Sequence, residues 1–308
     1  ARNIAARAAS GGDPRRVDSS VEERVDGKRG RPDRADLVIV ITPNTDHRAA
    51  ARRLLSAGFH PVLEKPVTTT SAEAQELDAL ARANGLVLAV PHVYSAYAMV
   101  REAAYRVQSG MLGTLRRIDV EHASGWAATR LEMSGHKQAA WRMDPDGGGR
   151  LVVVGDLGTH AYHLARFISG VDAETVTARL HTLVPGRHVF DDVTAELVLD
   201  GGTTVRLWAS MAATGHAHGL RIRVFGSTGS LEWIQEDPHH LRSSDLDANE
   251  RVISQGTPEL CDEALRLTRV GLGHPEGFLE AFANFYGDIA DDLTARRSEA
   301  QPQHGHRY

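Results

Sequence analysis

A chain of 308 residues with 42% hydrophobic and 24% charged side chains is long enough for two domains, and its composition is that of an ordinary globular protein. With 35 Lys plus Arg against 40 Asp plus Glu the formal charge is -5, so the basic excess that drives nucleic-acid backbone binding is absent. The single cysteine, Cys261, has no partner for an internal disulfide or a zinc or iron–sulfur cluster, no run approaches ~20 apolar residues, and no basic-then-apolar leader opens the chain. The expectation is a cytoplasmic protein with neither nucleic-acid nor membrane partners.

In chain order, a helix is predicted at residues 3–9, followed by a Gly/Asp/Pro/Arg-rich stretch of turn or loop. The first strong signal is Leu37-Val38-Ile39-Val40-Ile41, a β-branched run that reads as a parallel strand buried on both faces. It gives way to Thr42-Pro43-Asn44, where Asn44 or Thr45 is expected to cap a helix carrying Ala50, Ala51, Leu54 and Leu55 and stopped at Gly58. A second unit follows: Pro61-Val62-Leu63 as strand, Glu64-Lys65-Pro66 as loop, and a helix whose Thr70 and Glu73 form a capping box. Residues 86–90 read as a third parallel strand, so a doubly wound α/β domain extends to about residue 92.

The rhythm then changes. A helix at residues 98–109, a strand at 117–122 and a long loop at 124–149 precede a helix at 156–168 ended by Gly170. Strands are predicted at 175–184, 193–198, 204–210, 220–225 and 230–235, an open and mostly antiparallel sheet with helices on one side. A last helix at 276–293 carries Phe278, Ala281, Phe282, Phe285, Ile289 and Leu293 on one stripe and is expected to dock across domains. The second domain is thus residues 93–295, ahead of a polar tail at 296–308.

Ligands of open α/β sheets bind at the carboxyl ends of the strands, here Thr42-Pro43-Asn44, Glu64-Lys65-Pro66 and Pro91-His92. Lys65, fixed by Pro66 directly after a buried strand, can place an ammonium beside a ligand, or it is a surface lysine in a turn. Asn44 and His47 read equally as cap and surface residues or as ligand contacts. Downstream, Gly155-Asp156-Leu157-Gly158-Thr159-His160 sets a carboxylate and an imidazole four residues apart, acid/base equipment on one helix face unless Asp156 is an ordinary N-cap. His163 makes His-x-x-His with His160, but without a third ligand no metal is expected. Trp141 and Arg142 can stack on a planar ring and reach an anion, or Trp141 pins its loop to the core. Tyr94, with Lys137 in the long loop, offers further polar contacts. No Gly-x-Ser-x-Gly elbow, Gly-Lys-Ser/Thr phosphate loop or His-Glu-x-x-His run is present.

The runs Val38–Asn44, Ala57–Pro66 and Gly155–His160, with Trp141-Arg142 and the segment Gly273–Phe278, resemble the glucose–fructose oxidoreductase/inositol dehydrogenase (Gfo/Idh/MocA) family over residues 1–295. The resemblance implies a nicotinamide-binding Rossmann domain followed by a substrate domain whose open sheet forms homodimers or homotetramers. It implies NAD or NADP as cofactor and hydride transfer to or from a ring carbinol of a sugar, anhydrosugar, glycoside or cyclitol. On that basis Lys65, Asp156 and His160 are the catalytic set. Thr42, Pro43, Asn44, His47, Glu64, Lys65, His92, Trp141 and Arg142 line the cofactor, and Tyr94, Lys137, Asp156, His160 and His163 meet the small polyhydroxylated substrate.

One part of the family pattern is missing: no Gly-x-Gly-x-x-Gly follows a first strand, and no acidic residue is placed to bind a ribose. Because a first Rossmann strand is central to its sheet, its loss exposes apolar faces and unpaired backbone groups. The expectation is that this strand and its phosphate loop lie on residues that the chain lacks. The alternatives are a catalytically inactive homologue that binds or assembles, and a carbohydrate-binding protein without redox chemistry.

Overall fold

The computed structural model describes residues 37–298, which form two compact units dividing between Val90 and Pro91. The helix expected at residues 3–9 and most of the polar tail lie outside the described residues.

In the first unit, β1 (Leu37–Val40) and β2 (His60–Leu63) pair in parallel, Leu37 opposite His60 and Val40 opposite Leu63. Two helices, α1 (Asn44–Ser56) and α2 (Ser71–Ala83), bury Ala51, Leu54, Leu55, Leu77 and Ala81 against Val40, Phe59 and Leu63. The strand was expected to be covered on both faces; instead Ile39 and Ile41 are exposed, since the described helices pack on the face that carries Val40. Residues 86–90 form only a single bridge, Val62 to Ala89, and not a third strand. The Val87 N–H donates to the His60 ring instead of to a strand carbonyl, and Pro61 and Pro91 have no N–H to extend a ladder. Neither Asn44 nor Thr45 caps α1, whose N-cap is Pro43 without a side-chain bond. Thr70 does cap α2, accepting from the Glu73 N–H, while the Glu73 carboxylate reaches Thr69 rather than closing a box on Thr70.

The second unit opens with a 3₁₀ turn, Val93–Ala96, and α3 (Ala98–Gln108). β3 (Leu115–Ala123) follows, then the long connection, which contains the helix α4 (Lys137–Arg142), and α5 (Thr159–Ser169). Trp141 and Arg142 were expected in an irregular loop and stand instead on α4. The strands β4 (Ala173–His181), β5 (Asp192–Leu199), β6 (Thr204–Ser210), β7 (Leu220–Gly226) and β8 (Gly229–Ile234) follow as expected. Two more, β9 (Asp237–Asp245) and β10 (Glu250–Ser254), were not expected. They are polar, and Leu241 and Ile253 are their fully buried residues, too few to show alternation.

The eight strands run in the order β10-β9-β8-β7-β3-β6-β5-β4, with β3 and β6 parallel and every other neighbour antiparallel. The alternation of β3 turns Ile118, Val120 and His122 inward, where α3 and α5 cover the sheet, and sends Arg117, Asp119 and Glu121 to the open face. After the short helix α6 (Asp262–Arg266), α7 (Phe278–Arg297) packs within this unit on the Val93–Ala96 turn, through Asn284 to the Ala96 carbonyl and the buried Arg101–Asp288 pair. Its inner face includes Asn284, Asp288 and Asp292, so the apolar stripe is only part of what docks.

Leu164 in α5 is fully buried and Leu246, just beyond β9, is 74% exposed. Leu164→Ala should therefore cost about 2–5 kcal/mol and Leu246→Ala within about 0.5 kcal/mol, read from urea denaturation of each variant. Equal losses at the two positions would contradict the packing described.

Candidate active site

In the first unit, the candidate ligand contacts stand in the loops at the carboxyl ends of its strands. Thr42 and Pro43 are exposed, Asn44, Glu64 and Lys65 are half-buried, and the Lys65–Pro66 peptide is cis. The Glu64 N–H donates to the Val40 carbonyl at 3.1 Å, the last rung of the ladder before the two loops part. His47 differs from both sequence readings. It is completely buried, and its ring nitrogens lie 3.0 Å from the Pro66 carbonyl and 3.0 Å from the Thr42 carbonyl, so what it touches is the backbone of the two loops. Thr42, Asn44, Glu64 and Lys65, accessible over the carboxyl ends of parallel strands, suit polar contacts to a dinucleotide.

The second unit gathers imidazoles and phenols. His160, on α5, is 6% exposed; its ring meets the Tyr94 ring edge-on at 4.8 Å and the His92 ring at 5.5 Å. His92 in turn stacks on His163 at 4.2 Å. Tyr94 is pushed well above the ordinary phenol range, by burial first and then by Tyr97, Asp156 and Glu236. It therefore stays protonated at neutral pH, and its hydroxyl is hydrogen-bonded to His218 Nε2 at 2.7 Å. His122, at the inner end of β3, sits 4.7 Å from the His218 ring and donates from Nδ1 to the Leu157 carbonyl at 3.3 Å.

Asp156 was read as a residue of a regular first turn or as an N-cap. It occupies neither place: the helix is already running at Val153, and Val154–Gly158 is a π-helical turn inside it. The wider turn carries Asp156 to Arg142, whose Nε donates to Oδ2 at 3.2 Å. Arg142 also lies over the Trp141 ring at 4.4 Å and donates to Gln138 Oε1, which accepts from Trp141 Nε1 as well. The guanidinium is thus engaged by protein groups, and its pairing partner is the candidate substrate carboxylate. Lys137 stands exposed at the start of α4 and makes no hydrogen bond to this cluster among the described residues.

His122 and His218 complete the cluster, and neither was assigned to it from the sequence. The signal for His122 was its register: it continues the inward series Ile118, Val120 to the strand end, a buried position where an imidazole calls for a reason. Arg187 was also missed. Its buried guanidinium binds Asp191, Glu132 and the Thr129 carbonyl, fixing the connection that leads to α4. Among the described residues no group of three or more metal-ligating side chains is assembled.

The family described as "Oxidoreductase family, NAD-binding Rossmann fold" matches residues 18–92, and "GFO/IDH/MocA C-terminal domain" matches residues 100–232. The uncharacterized oxidoreductase YfiI of Bacillus subtilis is 32% identical over 274 residues, covering 87% of this chain and 69% of its own. An inositol dehydrogenase homolog from Azotobacter vinelandii, solved in complex with NAD+, superposes with a TM-score of 0.89 at 32% identity, covering 93% of this chain and 74% of that one. The same homolog with NADH and myo-inositol gives a TM-score of 0.85 at 31% identity, with the same coverage.

The stacked pair His92–His163 has a consequence for stability. Packing between His92 and Phe167 holds the His163 pKa well below the usual imidazole range, through burial first and then the charges of His92, Arg166 and Arg101. A depressed histidine pKa means that the unfolded chain takes up the proton first, so this stability is complete above pH ~6.5 and falls as the pH drops below it. Between pH 7.5 and 5.5 the loss assignable to His163 should reach up to about 1.4 kcal/mol. Denaturation curves of His163→Phe at the two pH values should show the smaller acid loss, and an unchanged loss would contradict the assignment.

Proposed function

The chain belongs to the Gfo/Idh/MocA family of NAD(P)-dependent oxidoreductases, and from that premise we propose that it transfers hydride between nicotinamide and a ring carbinol of a neutral sugar, anhydrosugar, glycoside or cyclitol. The carrying observation is His160, a nearly buried imidazole one turn beyond Asp156 in a pocket of aromatic and imidazole rings. The Azotobacter vinelandii homolog, bound to NADH and myo-inositol, supports the same substrate class.

The residues divide the chemistry as follows. His160 accepts the proton of the reacting hydroxyl, its ring orientation fixed by edge contacts with Tyr94 and His92. Asp156 accepts from a second hydroxyl, and Arg142 holds that carboxylate ionised and aimed. In the first unit, the Lys65 ammonium stabilises the negative charge that grows on the carbinol oxygen. Thr42, Pro43, Asn44 and Glu64 would hold the dinucleotide. When bound, it supplies the hydride acceptor, chemistry that no side chain offers.

The open face of the sheet suits self-association into a homodimer or homotetramer. β4 exposes nearly its whole length, including Val176, and a groove of about 630 Å³ crosses the neighbouring strands beside Trp208 and Arg206. Light scattering on the eluted protein should give at least twice the protomer mass, and Val176→Arg should lower it; a parent protein that elutes as a monomer would remove this part of the proposal.

Activity is tested with the full-length protein and a panel of neutral pyranoses, anhydrosugars and cyclitols, with NAD+ or NADP+, followed at the absorbance of the reduced nicotinamide. Lys65→Met and His160→Ala should each lower kcat by about 10²–10⁴. Arg142→Gln should mainly raise KM for the sugar, as Asp156 loses its orienting partner. Sugar binding without any change in absorbance would instead indicate a non-redox carbohydrate-binding protein, and cofactor binding without turnover an inactive homologue.

A further inference from the structure

His47 is a fully buried polar side chain that the proposed chemistry leaves without a task. It is the fourth residue of α1, and its two ring nitrogens face the carbonyls of Thr42 and Pro66, each at 3.0 Å. Those carbonyls belong to different loops. Thr42 follows β1 and leads into Asn44; Pro66 directly follows Lys65.

The rung from Glu64 N–H to Val40 O lies ahead of both loops. Within them Pro43 and Pro66 have no N–H to donate, so the His47 ring adds a contact between segments that part beyond that rung. Imidazole is suited to the task, since its nitrogens point from opposite edges of one rigid ring toward acceptors on either side. A ring N–H that faces a carbonyl donates to it, and the rigid ring holds both carbonyls at 3.0 Å.

We infer that His47 is a positioning residue: by joining the Thr42 and Pro66 carbonyls it fixes the Lys65 turn against the Thr42–Asn44 loop, and so aims the Lys65 ammonium. The inference rests on the proposed role of Lys65. His47 itself touches neither substrate nor cofactor, so its loss acts on the rate of the reaction more than on binding of the sugar.

The test uses the full-length enzyme and the variants His47→Gln, which keeps one donor edge, His47→Leu, which keeps none, Lys65→Met, and His47→Gln with Lys65→Met. His47→Gln should lower kcat about tenfold, the scale expected when a catalytic group is displaced by less than ~1 Å, with KM for the sugar changed less than about threefold. The deuterium isotope effect on kcat should rise, and His47→Leu should lose more. In the residual rate of Lys65→Met, adding His47→Gln should cost less than about twofold, because the group it aims is gone. Amide hydrogen exchange, read without turnover, should quicken in peptides spanning residues 41–45 and 64–68 of His47→Gln and stay unchanged in α2.

Unchanged exchange in both peptides, an unaltered kcat for His47→Gln, or losses that multiply with Lys65→Met would each overturn the inference. If Lys65→Met leaves kcat intact, the reading of Lys65 fails and this inference falls with it. If Lys65→Met abolishes turnover while His47→Gln does not lower kcat, the inference on His47 alone is overturned. If His47→Leu does not fold, His47→Gln and the exchange data decide.

Discussion

An eight-stranded sheet has two faces, and in the second unit α3 and α5 lie on one of them. The rest of that unit follows from this asymmetry. Each strand must alternate so that apolar side chains meet the helices, as Ile118 and Val120 of β3, Val205 and Leu207 of β6, and Ile222 and Val224 of β7 do. A slip of one residue in β3 would turn Arg117, Asp119 and Glu121 into the core and His122 out of it. The register that buries Ile118 is therefore the register that delivers His122 to the Leu157 carbonyl.

The same constraint leaves the other face rich in charge, with Asp119 meeting Arg117 along its own strand and Arg206 across on β6. Exposed ion pairs of this kind add little to stability. On the covered side the polar groups are handled differently. Arg101 with Asp288 and Arg187 with Asp191 are buried and paired, and each joins segments distant in sequence or holds a connection in place. The site thus sits among elements whose relative positions are set by buried charges as well as by apolar packing.

Legibility in the sequence varied with the kind of information each feature needs. Strands β1 and β2, the helices on them and the α5 region carried strong local periodicity and were read at nearly their observed bounds. Residues 86–90 carried an equally strong apolar run but form one bridge, because His60 and two prolines take away the donors a strand needs. β9 and β10 failed in the opposite sense: the sheet recruits them although their composition is polar. The pair Asp156 and His160 was visible as a pair, whereas the π turn that points Asp156 toward Arg142 was not, since one extra residue in a helical turn leaves no mark on hydropathy.

What the sequence by itself determined was the two-part α/β organisation, the family, and the set of residues proposed to carry the chemistry, all of which depend on local pattern and on residue type. Tertiary structure alone decided which partners those residues meet: Arg142 on Asp156, Tyr94 on His218, and His47 between two carbonyls nineteen and five residues away. The physical reason is the range of the forces involved. Propensity and periodicity act within a few residues along the chain, but a hydrogen bond requires its two atoms to stand about 3 Å apart in space, and only the packed fold brings them there.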